Sequence, residues 1–372
     1  MKFLHVSDIH LGKRLHGCSL SEDHRAILEQ MLALAARPDV DAVLIAGDVY
    51  NRASPSPEAI AQFSAFLTSL AALDKPVCIV RGNHDGEAQL SYAAPLLAGR
   101  GIHISRPFDG GMECVELADR FGPVRVWLLP YIRPAQARAA FPDAQIENYA
   151  DALRGVLAAT PPDPSVRNVL VTHQYVSGAL VSDSEERSIG GLDQIPPELF
   201  DGYDYVALGH LHRAQTLREG RLRYCGAPLV YSFDECAQSK SATLVTLGAK
   251  DEPNAFETVP FQPPHACRRL EGTLEELCAL PRSEDYIQAV LTDTVRPLDP
   301  LGALRIPFPN LLNLMFVRAN FTETWEEIPE RDAEMDPLEH FAAFYTYQNK
   351  QPPSDQVVEI MRGIIAGGGM EA

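Results

Sequence analysis

Apolar runs of strand length alternate with amphipathic stretches over the first 130 or so residues. KFLHVSD, AVLIAGD and VCIVRG each read as a buried strand running into a polar or glycine-containing turn. Between them lie helical patterns from about Ser21 to Ala36 and from about Pro57 to Leu73. This alternation predicts βαβ units around a sheet covered on both faces. In the first helix Ile27, Leu28, Met31, Leu32 and Ala35 recur at helical spacing. Ser21 stands at the expected N-cap with Glu22 and Asp23 in the first turn, and Arg37-Pro38 marks the stop. A second pass repeats the design, with a helix near 144–159 and RNVLVTH and YDYVALGH as strands. From about 214 to 260, the segments RLRYCG, SATLVTL and FETVP predict a meander of antiparallel strands.

A proline-rich joint, Phe261-Gln-Pro-Pro-His265, then breaks the pattern and a new α/β alternation runs to about Asn320. Asp336-Pro337-Leu338-Glu339 supplies an N-cap, a proline at the first helical position and an acid at N3 ahead of Phe341, Phe344 and Tyr345. A last helix is expected near Ser354, with Val357, Val358, Met361, Ile364 and Ile365 on one stripe. The expected division is a main domain over 1–262, a small α/β domain over 263–330 and a helical segment over 331–372. No solenoid-period repeat and no low-complexity tract occurs.

Hydrophobic content of 46% and charged content of 22% over 372 residues are those of a globular chain with a real core. The seven cysteines form no CxxC pair, which argues for reduced thiols over a disulfide framework or structural zinc. No stretch approaches a membrane span and no signal peptide fits ahead of Asp8, so a cytoplasmic location is expected. The net charge of −18 changes the picture most, because affinity for nucleic acid rests on Lys and Arg neutralising phosphates. Strong autonomous DNA binding is thereby disfavoured. Bound divalent cations or a basic partner would reverse the sign locally.

Five motifs fall at the ends of the predicted strands: Asp8-Ile9-His10, Gly47-Asp48-Val49-Tyr50, Gly82-Asn83-His84-Asp85, Thr172-His173 and Gly209-His210-Leu211-His212. Each puts oxygen or imidazole donors where an open α/β sheet has its ligand crevice, outside the carboxyl ends of the strands. The glycines at 47, 82 and 209 suit tight turns beside a ligand. Two closely spaced cations need a bridging carboxylate with neutral donors on either side, and these motifs contain the parts. Any one motif alone is as readily a polar turn, and the histidines at 5, 16, 24, 103, 265 and 340 read as ordinary core or surface residues. The joint pattern carries the inference, since five of the eleven histidines follow apolar strands in this way.

The series D-x-H, GD, GNHD, H and GHxH resembles the calcineurin-like metallophosphoesterase superfamily over about the first 260 residues. HVSDIHLGKRL, GLDQIPPELFDGYDYVALGHLHRAQ and especially RYCGAPLVYSFDECAQSK are similar to the bacterial SbcD branch of the Mre11 nuclease family. The resemblance implies a sandwich of mixed β-sheets flanked by helices, with 263–330 as a capping domain. It implies one ion held by Asp8, His10 and His212 and a second by Asn83, His173 and His210, with Asp48 bridging. His84 would stand apart, contacting the phosphate and assisting the leaving group, and Asp85 would support the site from behind. Water activated between the ions would attack phosphorus in line. The ions are expected to be manganese, with iron and zinc also compatible with the donors. Lys13 and Arg14, and no less Arg81, are candidates for a backbone phosphate, with a solvated loop the competing reading. Asn51 departs from the archaeal and eukaryotic pattern, which has a histidine there, so a second histidine on the phosphate is not expected.

As a family expectation, the chain is the nuclease subunit of a DNA-end-processing assembly, acting as a 3′–5′ double-strand exonuclease and a single-strand and hairpin endonuclease. The implied partners are an SbcC-like, Rad50-like SMC ATPase docked on the C-terminal segment, DNA ends and hairpins, and a second copy of the chain. A phosphodiesterase of small nucleotides and a non-catalytic scaffold are the alternatives. An intact ligand set disfavours the scaffold.

Overall fold

The apolar runs become strands buried along their whole length, as the interior of a parallel sheet requires. The structure, a computed structural model, describes residues 1–182, 184–185, 193–317, 336–349 and 351–367. In chain order the elements are β1 (Lys2–Val6), β2 (Arg14–Leu15), β3 (Cys18–Ser19), α1 (Ser21–Ala35), β4 (Ala42–Ala46), α2 (Pro57–Ala71), β5 (Val77–Val80) and β6 (Ile102–Ile104). There follow β7 (Glu113–Asp119), β8 (Gly122–Leu129), β9 (Arg167–His173), β10 (Tyr205–Gly209), β11 (Gln215–Leu217), β12 (Leu222–Tyr224), β13 (Ser241–Thr246) and β14 (Ala255–Pro260).

Two mixed six-stranded sheets result. The first has the order β14, β13, β1, β4, β5, β6, parallel from β1 to β6 and antiparallel at β13 and β14. The second has the order β11, β12, β10, β9, β8, β7, parallel from β12 to β8 with antiparallel outer strands. Their inner faces meet through Phe3, Leu44, Ala46 and Val80 on one side and Val126, Val169, Val171 and Tyr205 on the other. Ile27 and Met31 of α1 and Phe63, Phe66 and Leu70 of α2 cover the outside of the first sheet. Helices Pro134–Ala140 and Tyr149–Ala159 cover the second. Each large side chain so buried contributes roughly 1.5–3 kcal/mol, and the product is a four-layer sandwich.

Two local expectations are corrected. Ser21 is the first residue of α1 and not its cap; Leu20 occupies the cap position without a side-chain hydrogen bond. The Ser21 hydroxyl instead bonds Glu58 and accepts from Gln62 Nε2 at 2.8 Å, tying α1 to α2. The stretch 214–260 is not one meander. β11 and β12 extend the second sheet, with β12 parallel to β10, whereas β13 and β14 form a hairpin on the first. Alternation along each strand is the same in both arrangements, so the pattern could not distinguish them. The crossing segment, residues 225–240, passes beside the crevice described below.

Beyond the Pro-rich joint, β15 (Cys267–Gly272), β16 (Tyr286–Leu291) and β17 (Leu311–Phe316) form a parallel three-stranded sheet. Its own core comprises Leu277, Ile287, Ala289, Leu304 and Phe308. This sheet belongs to one compact unit with the sandwich, Met1–Val317. The buried Asp23 carboxylate of α1 accepts from the His265 amide at 3.1 Å and from the Tyr286 hydroxyl at 2.7 Å. A second unit begins at residue 318 and includes helices Pro337–Asn349 and Asp355–Gly367. The expected link between the small domain and these helices, 318–335, lies outside the described residues. Among the described residues no helix is long and apolar enough to cross a membrane.

Candidate dinuclear metal centre

The five motifs converge at the carboxyl ends of the parallel strands. Asp8 and His10 follow β1, Asp48 follows β4, and Asn83, His84 and Asp85 follow β5, all from the first sheet. His173 ends β9, and His210 and His212 follow β10, from the second. The crevice thus straddles both sheets. Asp8, His10, Asp48 and His210 all have positive φ, at 53°, 49°, 49° and 101°. Non-glycine residues hold such a conformation at a cost of about 1–3 kcal/mol each, and the cost turns each side chain inward at its strand end.

Donor atoms fall into overlapping groups. Asp8, His10 and His212 present ligand atoms within 4.8 Å of one another, as do Asp8, Asp48 and His173, and also His10, Asp48 and His84. Asp48 Oδ2 lies 3.2 Å from His173 Nε2 and 3.7 Å from His10 Nε2, between the two halves of the crevice. On one side His10 Nε2 and His212 Nε2 stand 3.2 Å apart. On the other, Asn83 Oδ1 is 3.0 Å from His173 Nε2 and 3.1 Å from His210 Nδ1. His84 Nε2 is 3.9 Å from Asp48 Oδ2, while its Nδ1 lies 3.1 Å from the Asn51 carbonyl oxygen. That carbonyl is main chain, so the departure at position 51 still leaves His84 its orienting partner.

Electrostatics favour a cation here. Burial pushes the Asp8 carboxyl up, a burden that positive charge would relieve. Burial above all pushes His10 and His210 down, His210 to about 3 with the His173 charge adding to it, so both present lone pairs at neutral pH. Burial also opposes protonation of His173, but Asp48 outweighs it and pulls the imidazole up to about 9. A divalent cation would take that proton's place beside Asp48. Nitrogen and oxygen donors of this kind, buried and mutually close, fit first-row divalent ions.

Surrounding groups fix the donors' orientation. His173 Nδ1 donates to the Ala46 carbonyl at 2.8 Å, turning Nε2 into the crevice. Asp85 accepts from the amides of Gly82 (2.9 Å), Val49 (3.2 Å) and Tyr50 (2.8 Å), locking the turn that carries Asp48 to the turn that carries Asn83. Asp8 accepts from the His210 amide at 3.0 Å, joining the two sheets. Glycine is required where they touch. A Cβ on Gly209 would stand 1.8 Å from the Ala46 carbonyl oxygen and 2.7 Å from His173 Nδ1. Gly209→Ala is therefore expected to destabilise the fold by about 3 kcal/mol or more and to lose cation binding. An unchanged denaturation midpoint would show that the sheets are not so closely clasped.

Three residues that motif reading missed complete the site. Glu235 is fully buried and lies 3.1 Å from His212 Nδ1 and 2.7 Å from Lys240 Nζ. Burial opposes its ionisation, yet the His212 hydrogen bond and the Lys240 ammonium hold it down at about 2. Tyr231 donates its hydroxyl proton to the Ile9 carbonyl and packs edge-on against His10 and His212. All three lie in RYCGAPLVYSFDECAQSK, whose likeness to the family pointed to the segment without assigning a role to Tyr231, Glu235 or Lys240. Glu235→Gln is expected to weaken cation binding roughly 10–100-fold, as loss of such supporting partners does. A cation titration giving wild-type affinity would contradict this.

The phosphate candidates separate. Lys13 and Arg14 line an open groove beside Asn51 and Arg52, with Lys13 Nζ 5.1 Å from the Tyr231 ring centroid. Arg81 donates to the main-chain oxygens of Tyr131 (2.7 Å) and Gly82 (3.3 Å) and so braces the end of β5 against the end of β8.

Residues 1–214 match the family model of the calcineurin-like phosphoesterases, and residues 263–349 match that of the type 5 capsule protein repressor C-terminal domain. The SbcD component of the SbcCD nuclease from Staphylococcus epidermidis is 30% identical over 377 residues, covering 98% of this chain and 99% of that relative. Among solved structures, a Thermus thermophilus protein is 14% identical with a TM-score of 0.38, covering 70% of this chain and 98% of its own. A dimetal phosphatase from Danio rerio is 11% identical with a TM-score of 0.39, covering 70% and 99%.

Proposed function

The chain belongs to the calcineurin-like phosphoesterases and, within them, to the SbcD nuclease subunits, and from that membership we propose a residue-by-residue account of how it cleaves DNA. Asp8, His10 and His212 would hold one divalent cation and Asn83, His173 and His210 a second, with Asp48 shared between them. The position of Asp48 Oδ2 between His10 and His173 carries this reading. When bound, such cations supply an activated water and neutralise charge on the phosphoryl oxygens. The remaining work falls to the chain. His84 faces the crevice through Nε2 and stabilises or protonates the departing sugar oxygen, its ring held by the Asn51 carbonyl. Glu235 and Ala46 keep His212 and His173 in the tautomers that present Nε2. Lys13 and Arg14 guide the DNA backbone along the adjoining groove.

The finer assignments rest on the same membership. The bound ions are manganese, and the activities are 3′–5′ exonuclease on duplex ends and endonuclease on single strands and hairpins. The small parallel sheet, β15 to β17, acts as a cap on DNA access. The helices after residue 331 dock an SbcC-type ATPase, and the exposed Ile364, with Met361 on the same stripe, is suited to that contact. A homodimer would cover Ile60, Tyr92 and Leu96, which are exposed on and near α2. With a net charge of −18, most of the grip on DNA comes from the partner. Mononucleotide release from duplex DNA in manganese, measured with and without the ATPase, tests this. Nuclease activity that the ATPase enhances is expected; rapid hydrolysis of small phosphodiesters with none on any DNA would overturn it.

A further inference from the structure

We propose that Cys236 and Cys267 form a reversible disulfide that fastens the small parallel sheet to the phosphoesterase sandwich. Their sulfurs lie 3.1 Å apart. Cys236 ends the helical turn Phe233–Glu235 in the segment crossing between the two large sheets, and Cys267 opens β15. A disulfide bond is about 2.05 Å long, so the sulfurs need approach by only about 1 Å. Both thiols are half-buried and line a cavity of about 220 Å³ at the seam. Elsewhere this seam is held by the Asp23 carboxylate, through His265 and Tyr286, and by the connecting chain. A disulfide would add a covalent fastening, released on reduction, to these non-covalent contacts.

The reaction balances with a low-molecular-weight disulfide such as oxidised glutathione. The Cys236 thiolate attacks one sulfur of the oxidant, giving a mixed disulfide and releasing one thiol. Cys267, deprotonated in turn, attacks the Cys236 sulfur and releases the second thiol. The two protein thiols lose two protons and two electrons, and the oxidant is reduced to two thiols. Cys236 is the attacking partner because its hydrogen bond with the Cys267 thiol holds it below the usual range. Since Cys236 directly follows Glu235, the bond would also fix the segment that supports His212.

The full-length protein, equilibrated in buffers of defined oxidised and reduced glutathione, alkylated and mapped by mass spectrometry, provides the test. One peptide pair joined through Cys236 and Cys267 and released by dithiothreitol is expected. With it the midpoint of thermal unfolding should rise by roughly 3–8 °C. Cys236→Ser and Cys267→Ser should each abolish the rise and unfold like the reduced wild type. Should either variant fold poorly, the wild-type map decides alone. Separate glutathione adducts on the two cysteines, free thiols throughout, or a bond to Cys18 instead would overturn the proposal.

Discussion

Asp48→Ala is expected to empty both cation sites together and to lower phosphodiester hydrolysis by at least about 10³-fold, or some 4 kcal/mol of transition-state stabilisation. Its Oδ2 faces both halves of the crevice, 3.7 Å from His10 Nε2 and 3.2 Å from His173 Nε2. Its Oδ1 accepts from the His84 amide at 2.9 Å, so the side chain also secures the turn that carries Asn83 and His84. Alanine would remove the proposed shared ligand and one of the two carboxylates, with Asp8, that draw a cation in. Metal analysis after manganese loading, paired with hydrolysis of a small phosphodiester, reads both effects. A variant that keeps two ions would show that Asp48 is not shared.

His84→Ala is expected to separate the two functions. The variant should retain both cations and fold normally while hydrolysis falls about 10²–10⁴-fold, the usual worth of a positioned proton donor. Geometry alone would let His84 join His10 and Asp48 around an ion, since their ligand atoms cluster within 4.8 Å. The proposed assignment divides six other donors into two sets with Asp48 between them and leaves His84 at the rim, with its ring edge-on to His10 and its Nδ1 on the Asn51 carbonyl. His84→Ala with one site emptied would make it a ligand. Because leaving-group assistance matters most for a poor leaving group, the variant should lose less activity on an activated aryl phosphodiester than on DNA.

Much of this architecture was legible because its signals are local. Buried parallel strands read as unbroken apolar runs, helices α1 and α2 show their period, and the donors sit immediately after strands, next to glycines at 47, 82 and 209. What escaped depends on contacts between distant parts of the chain. Glu235 meets His212 across 23 residues, from a segment whose path between the two large sheets no periodicity records. The same blindness made β11 to β14 look like a single meander. Arg81 resembled a phosphate ligand because its bond to the Tyr131 carbonyl, 50 residues away, becomes visible only once the ends of β5 and β8 are neighbours. Asp85 was expected only to support the site; its three amide partners show how, by locking the Asp48 turn to the Asn83 turn. Ser21 failed as a cap for a smaller reason, since Glu58 and Gln62 of α2 compete for its hydroxyl.

The paired-cation centre is tested most directly by anomalous diffraction from crystals of the protein loaded with manganese. Two peaks about 3.5–4 Å apart are expected, flanking Asp48 Oδ2, one among Asp8, His10 and His212 and the other among Asn83, His173 and His210, with His84 outside both. A single peak, or a peak coordinated by His84 in place of one of these residues, would contradict it.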